Sequence, residues 1–218
     1  MRSVKVFLIA ALLCSTFATA AAQSTPKASG ASRSAAAAKK TASAVRTECV
    51  EAVGLCVAVP AMWQRLGDIF GDLGFVVAES HPGMDTATRP QISVAAIDVP
   101  SAKNGGAPPT LDSLVDLVLT PDGTFTSTET QQRTRLLLNG SNAQILRVKL
   151  HDDATNADSI EEVALIDGSD GFVYSIALRC PPQDFTRLDP IFQKTAHSWH
   201  IKPPAPAPAT PTQDTNKK

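Results

Sequence analysis

The stretch LLLNGSNAQILRVKL, residues 136–150, determines the architecture of this protein. Two runs rich in apolar residues flank the dipeptide Asn139-Gly140, which is a strong signal for a two-residue hairpin turn. Residues 124–138 are therefore predicted as one strand, and residues 142–150 as the strand that returns beside it.

A second hairpin and a closing helix extend this pattern. Residues 160–166 and 172–178 flank a Gly-containing turn, so the two hairpins together predict an antiparallel meander. Residues 183–199 are predicted as a helix with a break at Asp189-Pro190, where Asp189 would cap a new helix. The helix has an apolar stripe that would lie on the sheet, formed by Phe185, Leu188, Phe192, Ala196 and Trp199.

The first half of the domain predicts shorter elements. Residues 47–50 and 55–59 are β-type runs around Gly54, and residues 74–79 and 91–98 are further strands. Thr110 can cap a helix over residues 110–119, with Asp112 in its first turn. The fold class is therefore α+β, a single domain with a mostly antiparallel β-sheet packed by helices.

The composition is that of a globular protein without a charge bias. Of the 218 residues, 43% are hydrophobic and 19% are charged, and the net charge is -1. Such a balance gives no field that attracts polyanions, and aromatic residues, at 5%, are too few for a base-stacking surface. Nucleic acid is therefore not an expected partner.

The N-terminal segment has the three parts of a secretory signal peptide over residues 1–22. A short positive start precedes the apolar run of residues 6–14, and small residues precede cleavage sites after Ala20 or Ala22. The apolar run is too short for a membrane span. We therefore expect a periplasmic or secreted protein with no stable membrane span after cleavage.

Two segments of low complexity flank the predicted domain. Residues 23–45 form an Ala/Ser-rich linker and residues 203–218 a Pro-rich tail, and both are expected to be disordered because they cannot bury enough apolar surface to offset ordering entropy. The sandwich domain is assigned to residues 46–202.

Export leaves three cysteines in the mature chain, and they can form disulfides outside the cytosol. Cys49 and Cys56 lie symmetrically about a turn at Ala52-Val53, so a hairpin would oppose them within disulfide distance. They are the disulfide candidate, and Cys180 would then be free. A pairing of Cys180 with either of them remains the alternative.

Several of these segments are similar to those of a known superfamily. The segment VAVPAMW (residues 57–63), the Leu-rich helix, the Asn139-Gly140 hairpin, the strand FVYSI (residues 172–176), the Cys180-Pro181 stop and the closing helix resemble the PsbP-like/DcrB-like superfamily. This resemblance, over about residues 46–201, implies an α/β/α sandwich and a non-catalytic binding or assembly module. Members include a photosystem extrinsic subunit, a Ran-binding factor and bacterial envelope proteins.

No residue pattern predicts catalysis or a cofactor. The sequence lacks the spaced motifs that are typical of metal sites and of catalytic nucleophiles. The acidic segment around His151 (Asp152, Asp153, Asn156, Asp158) lacks calcium-loop spacing and is interpreted as a solvated hairpin loop. The following positions are likewise interpreted as structural: His81, Glu161 with Glu162, Ser169, and His197 with His200.

The sequence therefore predicts an exported, non-catalytic binding or assembly module whose partner is another envelope protein. The alternatives are a carrier of a small ligand or lipid, and a hydrolase built from unrecognised groups. Trp63, Tyr174 and Trp199 are predicted to fill the core rather than to form a binding patch.

Overall fold

The computed structural model describes residues 44–80, 89–99, 110–118, 125–152, 155–168 and 171–203. The predicted signal peptide, most of the predicted linker and all but the first residue of the predicted Pro-rich tail lie outside these ranges, as do His81, Asp153 and Ser169. Along the described chain the elements are β1 (Val45–Val50), β2 (Leu55–Pro60), β3 (Gln64–Ile69), β4 (Gly74–Ala78), β5 (Gln91–Asp98), α1 (Leu111–Val118), β6 (Phe125–Leu138), β7 (Ser141–Asp152), β8 (Ala157–Asp167), β9 (Phe172–Cys180), a 3₁₀ turn (Pro182–Asp184), α2 (Phe185–His197) and β10 (His200–Ile201).

The strands form two antiparallel sheets. The large sheet has the order β3-β4-β5-β9-β8-β7-β6, and the small sheet has the order β1-β2-β10. The predicted α+β class and the antiparallel meander are confirmed. Asn139 and Gly140 form the β6–β7 turn with φ values of 51° and 87°, a left-handed conformation that Asn and Gly adopt at low cost.

Helices cover both faces of the large sheet, which makes the predicted α/β/α sandwich. On one face, the buried side chains of Leu188, Phe192 and Ala196 on α2 pack on the sheet together with the β1–β2 hairpin. On the other face, Leu114 and Val115 of α1 pack on β7 and β8. Thr110 Oγ1 accepts a hydrogen bond from the Ser113 amide at 3.2 Å, so the predicted cap of α1 is present.

The end of α2 is joined to the hairpin that organises the sheet. The indole Nε1 of Trp199 donates to the Leu138 carbonyl at 3.2 Å, and Asn139 Nδ2 donates to the Trp199 carbonyl at 2.7 Å. Ser198 Oγ accepts from the Ala58 amide of β2 at 2.7 Å. These bonds connect residues about 60 and 140 positions apart in sequence, and they hold α2, β2 and the β6–β7 turn in one packing unit.

The first two strands form the expected hairpin, with Cys49 directly opposite Cys56. Their Cα atoms are 4.1 Å apart and the two sulfurs form a disulfide, while Cys180 is free and buried. The bond lies beside the β1–β2 turn, one residue pair from the end of the hairpin.

Two predictions about local structure were wrong, and one strand was missed. Helix α2 is not broken at Asp189-Pro190 but runs through Pro190. Pro190 lacks the amide that would bond the carbonyl one turn earlier, and the complete burial of Leu188 and Phe192 on either side stabilises the continuous helix.

The described residues of the polar segment 151–159, predicted as a loop, are mostly strand, because β7 and β8 extend until Asp152 pairs with Ala157. Strand β3 was not predicted at all. Its sequence, Gln-Arg-Leu-Gly-Asp-Ile, has few β-branched residues, and it becomes a strand through pairing with β4.

Removal of the disulfide tests the role of the first hairpin. The double variant Cys49→Ala/Cys56→Ala should lose about 2.5 kcal/mol of unfolding free energy, the chain-entropy contribution of so short a loop. Denaturant titration without reductant measures the difference, and the variant Cys180→Ala serves as the thiol control that keeps the disulfide. Equal unfolding free energies of the wild-type and double-variant proteins would contradict a stabilising Cys49–Cys56 disulfide.

Candidate functional site

Exposed apolar side chains lie just before, within and just after strand β3, at one edge of the large sheet. Met62, Leu66 and Phe70 are 67%, 42% and 38% exposed, and we call them the β3 ridge. They are three of the six large apolar residues exposed among the described residues, and the other three lie on three different elements. Single exposed apolar residues are ordinary, whereas a row of them at a sheet edge is typical of an interaction surface.

Strand β3 has an open edge because it pairs only with β4 within the described sheet. The register shifts between Arg65 and Gly67, which leaves Leu66 in a bulge. Bulges bend a strand and redirect a side chain, and Leu66 is accordingly exposed between two paired segments. An open edge presents unpaired amides and carbonyls to a partner strand.

Arg65 connects β3 to the core and to β1. Its guanidinium lies 4.7 Å from the centre of the buried Phe75 ring and donates to Asp68 at 2.6 Å and to Glu48 of β1 at 2.8 Å. Burial tends to raise the pKa of Glu48, but hydrogen bonds from Arg46 and Arg65 hold that pKa below its ordinary value. The charges beside the ridge therefore neutralise one another.

Phe70 has a backbone conformation that is unfavourable for its residue type. Its φ is 55°, and Gly71 follows at 75°. The other described residues with positive φ that are not glycine are Asn139 and Asn156, and Asn tolerates this region well. A bulky residue in this region costs stability and is a known mark of functional segments.

A second candidate is a buried polar cluster between the sheet and α2. Glu162 of β8 is 1% exposed, and its Oε1 accepts from Arg147 Nη2 at 3.0 Å. The Arg147 guanidinium lies 4.2 Å from the Phe185 ring centre and 4.0 Å from Asp189 Oδ1. Burial raises the pKa of Glu162 to about 7, against the opposing effect of Arg147.

The free thiol of Cys180 lies near this cluster. Burial raises the pKa of Cys180 to about 12, and the negative charges of Asp184 and Glu162 act in the same direction. A thiol with so high a pKa carries almost no thiolate at neutral pH. Cys180 therefore behaves as a buried apolar residue rather than as a nucleophile.

The histidines singled out in the sequence are not brought together. His197 Nδ1 bonds the Gln193 carbonyl at 2.7 Å, and His200 lies in β10 with Nδ1 3.1 Å from the Ser198 carbonyl. His151 Nδ1 lies 2.7 Å from Asp158 Oδ1. Among the described residues there is no group of three or more potential metal ligands.

The remaining sequence candidates lie in the sheet and the core. Glu161 and Glu162 point to opposite faces of β8, and Glu161 accepts from Arg179 at 2.6 Å. Trp63, Tyr174 and Trp199 are buried in the core as predicted.

Sequence reasoning missed the β3 ridge and the Glu162 cluster. The row Met62, Leu66 and Phe70, each four residues apart, is a weak signal in the sequence because β3 itself was not recognised. The burial of Glu162 depends on α2 folding back onto β8, which no local pattern shows.

In the part of the chain that the structure covers, no helix has the length and apolar character needed to cross a membrane. No family model matches the sequence. No curated protein matches it either.

Solved structures share the fold. Cyanobacterial PsbP (CyanoP) from Synechocystis superimposes with a TM-score of 0.52 at 14% sequence identity, over 78% of this chain and 98% of that chain. LpqN from Mycobacterium tuberculosis, described as involved in cell envelope biogenesis, gives 0.49 at 15% identity over 68% and 83% of the two chains. The Ran-binding protein Mog1p from Saccharomyces cerevisiae gives 0.48 at 13% identity over 72% and 95%.

The chain has the PsbP-like fold, and the resemblance drawn from the sequence is confirmed at that level. A likeness at 14% identity concerns the path of the backbone, and function depends on the site that each protein builds on that backbone.

Backbone strain at Phe70 can be tested by measuring the unfolding free energy of variants. Phe70→Asn should raise the unfolding free energy by about 1 kcal/mol, because Asn tolerates a positive φ that strains Phe. The reverse substitution Asn156→Phe, at an exposed residue with φ of 52°, should lower it by a similar amount. Thermal and denaturant unfolding measure both, and a loss of stability in Phe70→Asn would show that the position is not strained.

Proposed function

We propose that this protein is an exported, non-catalytic binding or assembly module that docks a segment of another envelope protein along the β3 ridge. The observation that carries the proposal is the exposure of three large apolar side chains, one on the open-edged strand β3 and one on either side of it in the chain, with Phe70 in a costly backbone conformation. A residue that costs stability and remains exposed is better explained by contact with a partner than by folding.

Export is supported by two independent features. The N-terminal segment has the layout of a signal peptide with cleavage after Ala20 or Ala22. The Cys49–Cys56 disulfide persists only in an oxidising compartment such as the periplasm or the extracellular space.

The open strand edge and the side chains of the β3 ridge indicate the kind of partner that would bind there. An open strand edge binds an extended segment through main-chain hydrogen bonds, and side chains on that segment supply specificity. Met62, Leu66 and Phe70 favour apolar side chains, and the mutual neutralisation of Arg65 and Asp68 favours an uncharged segment. The proposed ligand is therefore an extended, apolar and uncharged stretch of another envelope protein.

The proposal is tested by affinity capture with the mature protein from envelope extract. Leu66→Lys should weaken recovery of a specific partner about tenfold or more, as truncation of an interface hot spot does, because it places a charge in the middle of the ridge. The matched control is Leu137→Lys, at a residue 65% exposed on β6, the opposite edge of the sheet, which should recover the partner as the wild type does.

Each contrary result has a distinct meaning. Equal recovery by wild type and Leu66→Lys would exclude the β3 ridge as the contact surface. Failure to recover any specific partner with the wild type would contradict the binding function itself. Binding of lipids or small apolar molecules by the purified protein, unaffected by Leu66→Lys, would favour the carrier alternative.

The hydrolase alternative is tested by activity. Hydrolysis of a p-nitrophenyl ester by the purified wild-type protein, well above the rate in buffer, would favour this function over the proposed one. A rate equal to that in buffer would count against it.

A further inference from the structure

Two carboxylates converge on one guanidinium where α2 docks on the sheet. Arg147 of β7 is paired with Glu162 of β8, and its Nη2 atom lies 3.0 Å from Glu162 Oε1. The same Nη2 atom lies 4.0 Å from Oδ1 of Asp189, which α2 contributes from above the sheet. The single positive charge of Arg147 therefore lies near two carboxylates, Glu162 on β8 and Asp189 on α2.

The hydrogen bonds of the cluster do not satisfy an ionised Glu162. Glu162 Oε2 is buried without a hydrogen-bond partner, and so is Arg147 Nε. Asp189 receives one bond from Gln193 Nε2 at 3.2 Å. A proton on Glu162 would remove the charge of this buried carboxylate and would make Glu162, Arg147 and Asp189 neutral overall.

We propose that the buried carboxyl group of Glu162 holds a proton in the folded protein, and that the loss of this proton loosens α2 from the sheet. Deprotonation leaves two negative charges around the one Arg147 guanidinium, one on β8 and one on α2, at a place where Glu162 has almost no contact with water. A carboxylate that is so well buried, with one unpartnered oxygen and a second negative charge nearby, is costly to ionise. The inference does not depend on the proposed function.

The neighbouring charged groups agree with this assignment. Arg147 stabilises the ionised form of Glu162 from β7, while burial and Asp189 oppose it, and burial is the largest effect. The thiol of Cys180 on β9 stays neutral, and Asp184 and Arg187 act on that thiol. The folded-state pKa of Glu162, about 7, lies above its ordinary value of 4.5. The resulting stability is therefore complete below about pH 4.5 and is lost as the pH rises through about 7.

Carbon-13 NMR of the mature protein tests the proton on Glu162 directly. The side-chain carboxyl carbon of Glu162 should titrate near neutral pH, far above the other carboxyl groups. Asp189→Asn, at a side chain that is 34% exposed and tolerant of change, should move that midpoint downward because it removes the opposing charge. A Glu162 midpoint below pH 5 would overturn the proposal.

The pH dependence of unfolding tests the consequence for the fold. Between pH 5 and pH 8 the unfolding constant of the wild type should rise on the order of 50- to 100-fold more than that of Glu162→Gln. The matched control is Glu161→Gln, whose carboxylate pairs with Arg179 on the other face of the same strand, and it should keep the wild-type pH slope. If Glu162→Gln does not fold, the Asp189→Asn titration still decides the proposal.

Hydrogen exchange tests which element responds. Protection of α2 amides should fall several-fold relative to β9 amides between pH 6 and pH 8 in the wild type, and should stay constant in Glu162→Gln. Protection of α2 that follows β9 at every pH would show that the helix does not loosen, and would overturn that part of the inference.

Discussion

The structure depends on the burial of both faces of its central strand. Tyr174, Ile176 and Leu178 of β9 point toward α2 and are completely buried, while Val173 and Ala177 point toward α1. A strand that is apolar on both faces cannot have either face in water. The two helices are therefore required, and α2 must return from the end of the chain to cover the larger core.

The return of α2 to the sheet determines its position and the residues that it contacts. Trp199 and Asn139 join the end of α2 to the β6–β7 turn, and Ser198 joins it to β2. Because α2 is held at that end, Asp189 lies above Arg147 and Glu162. The polar cluster is thus a consequence of the packing that closes the core, and buried charges of this kind influence specificity and pH response more than they add stability.

The edge of the sheet and its centre have opposite properties. The centre is covered and apolar, whereas β3 is exposed, bulged and paired only with β4 in the described sheet, with Arg65 over the Phe75 ring. A rigid scaffold that presents an adaptable edge is a common arrangement for binding, because the cost of local strain is borne by a stable core. The neutral charge balance around Arg65 leaves the apolar side chains as the dominant feature of that edge.

Local sequence determined the hairpins, because Asn139-Gly140 can form a tight left-handed turn and Cys49 and Cys56 are symmetric about theirs. Alternating apolar residues also determined the main strands, and apolar residues three or four positions apart determined the stripe of α2. Tertiary structure alone decided that β3 is a strand, that α2 passes through Pro190, and that Glu162 is buried. Each of these depends on partners distant in sequence: pairing with β4, packing on the sheet, and the cover that α2 provides. Propensity at a single position is too weak to outweigh such long-range contacts.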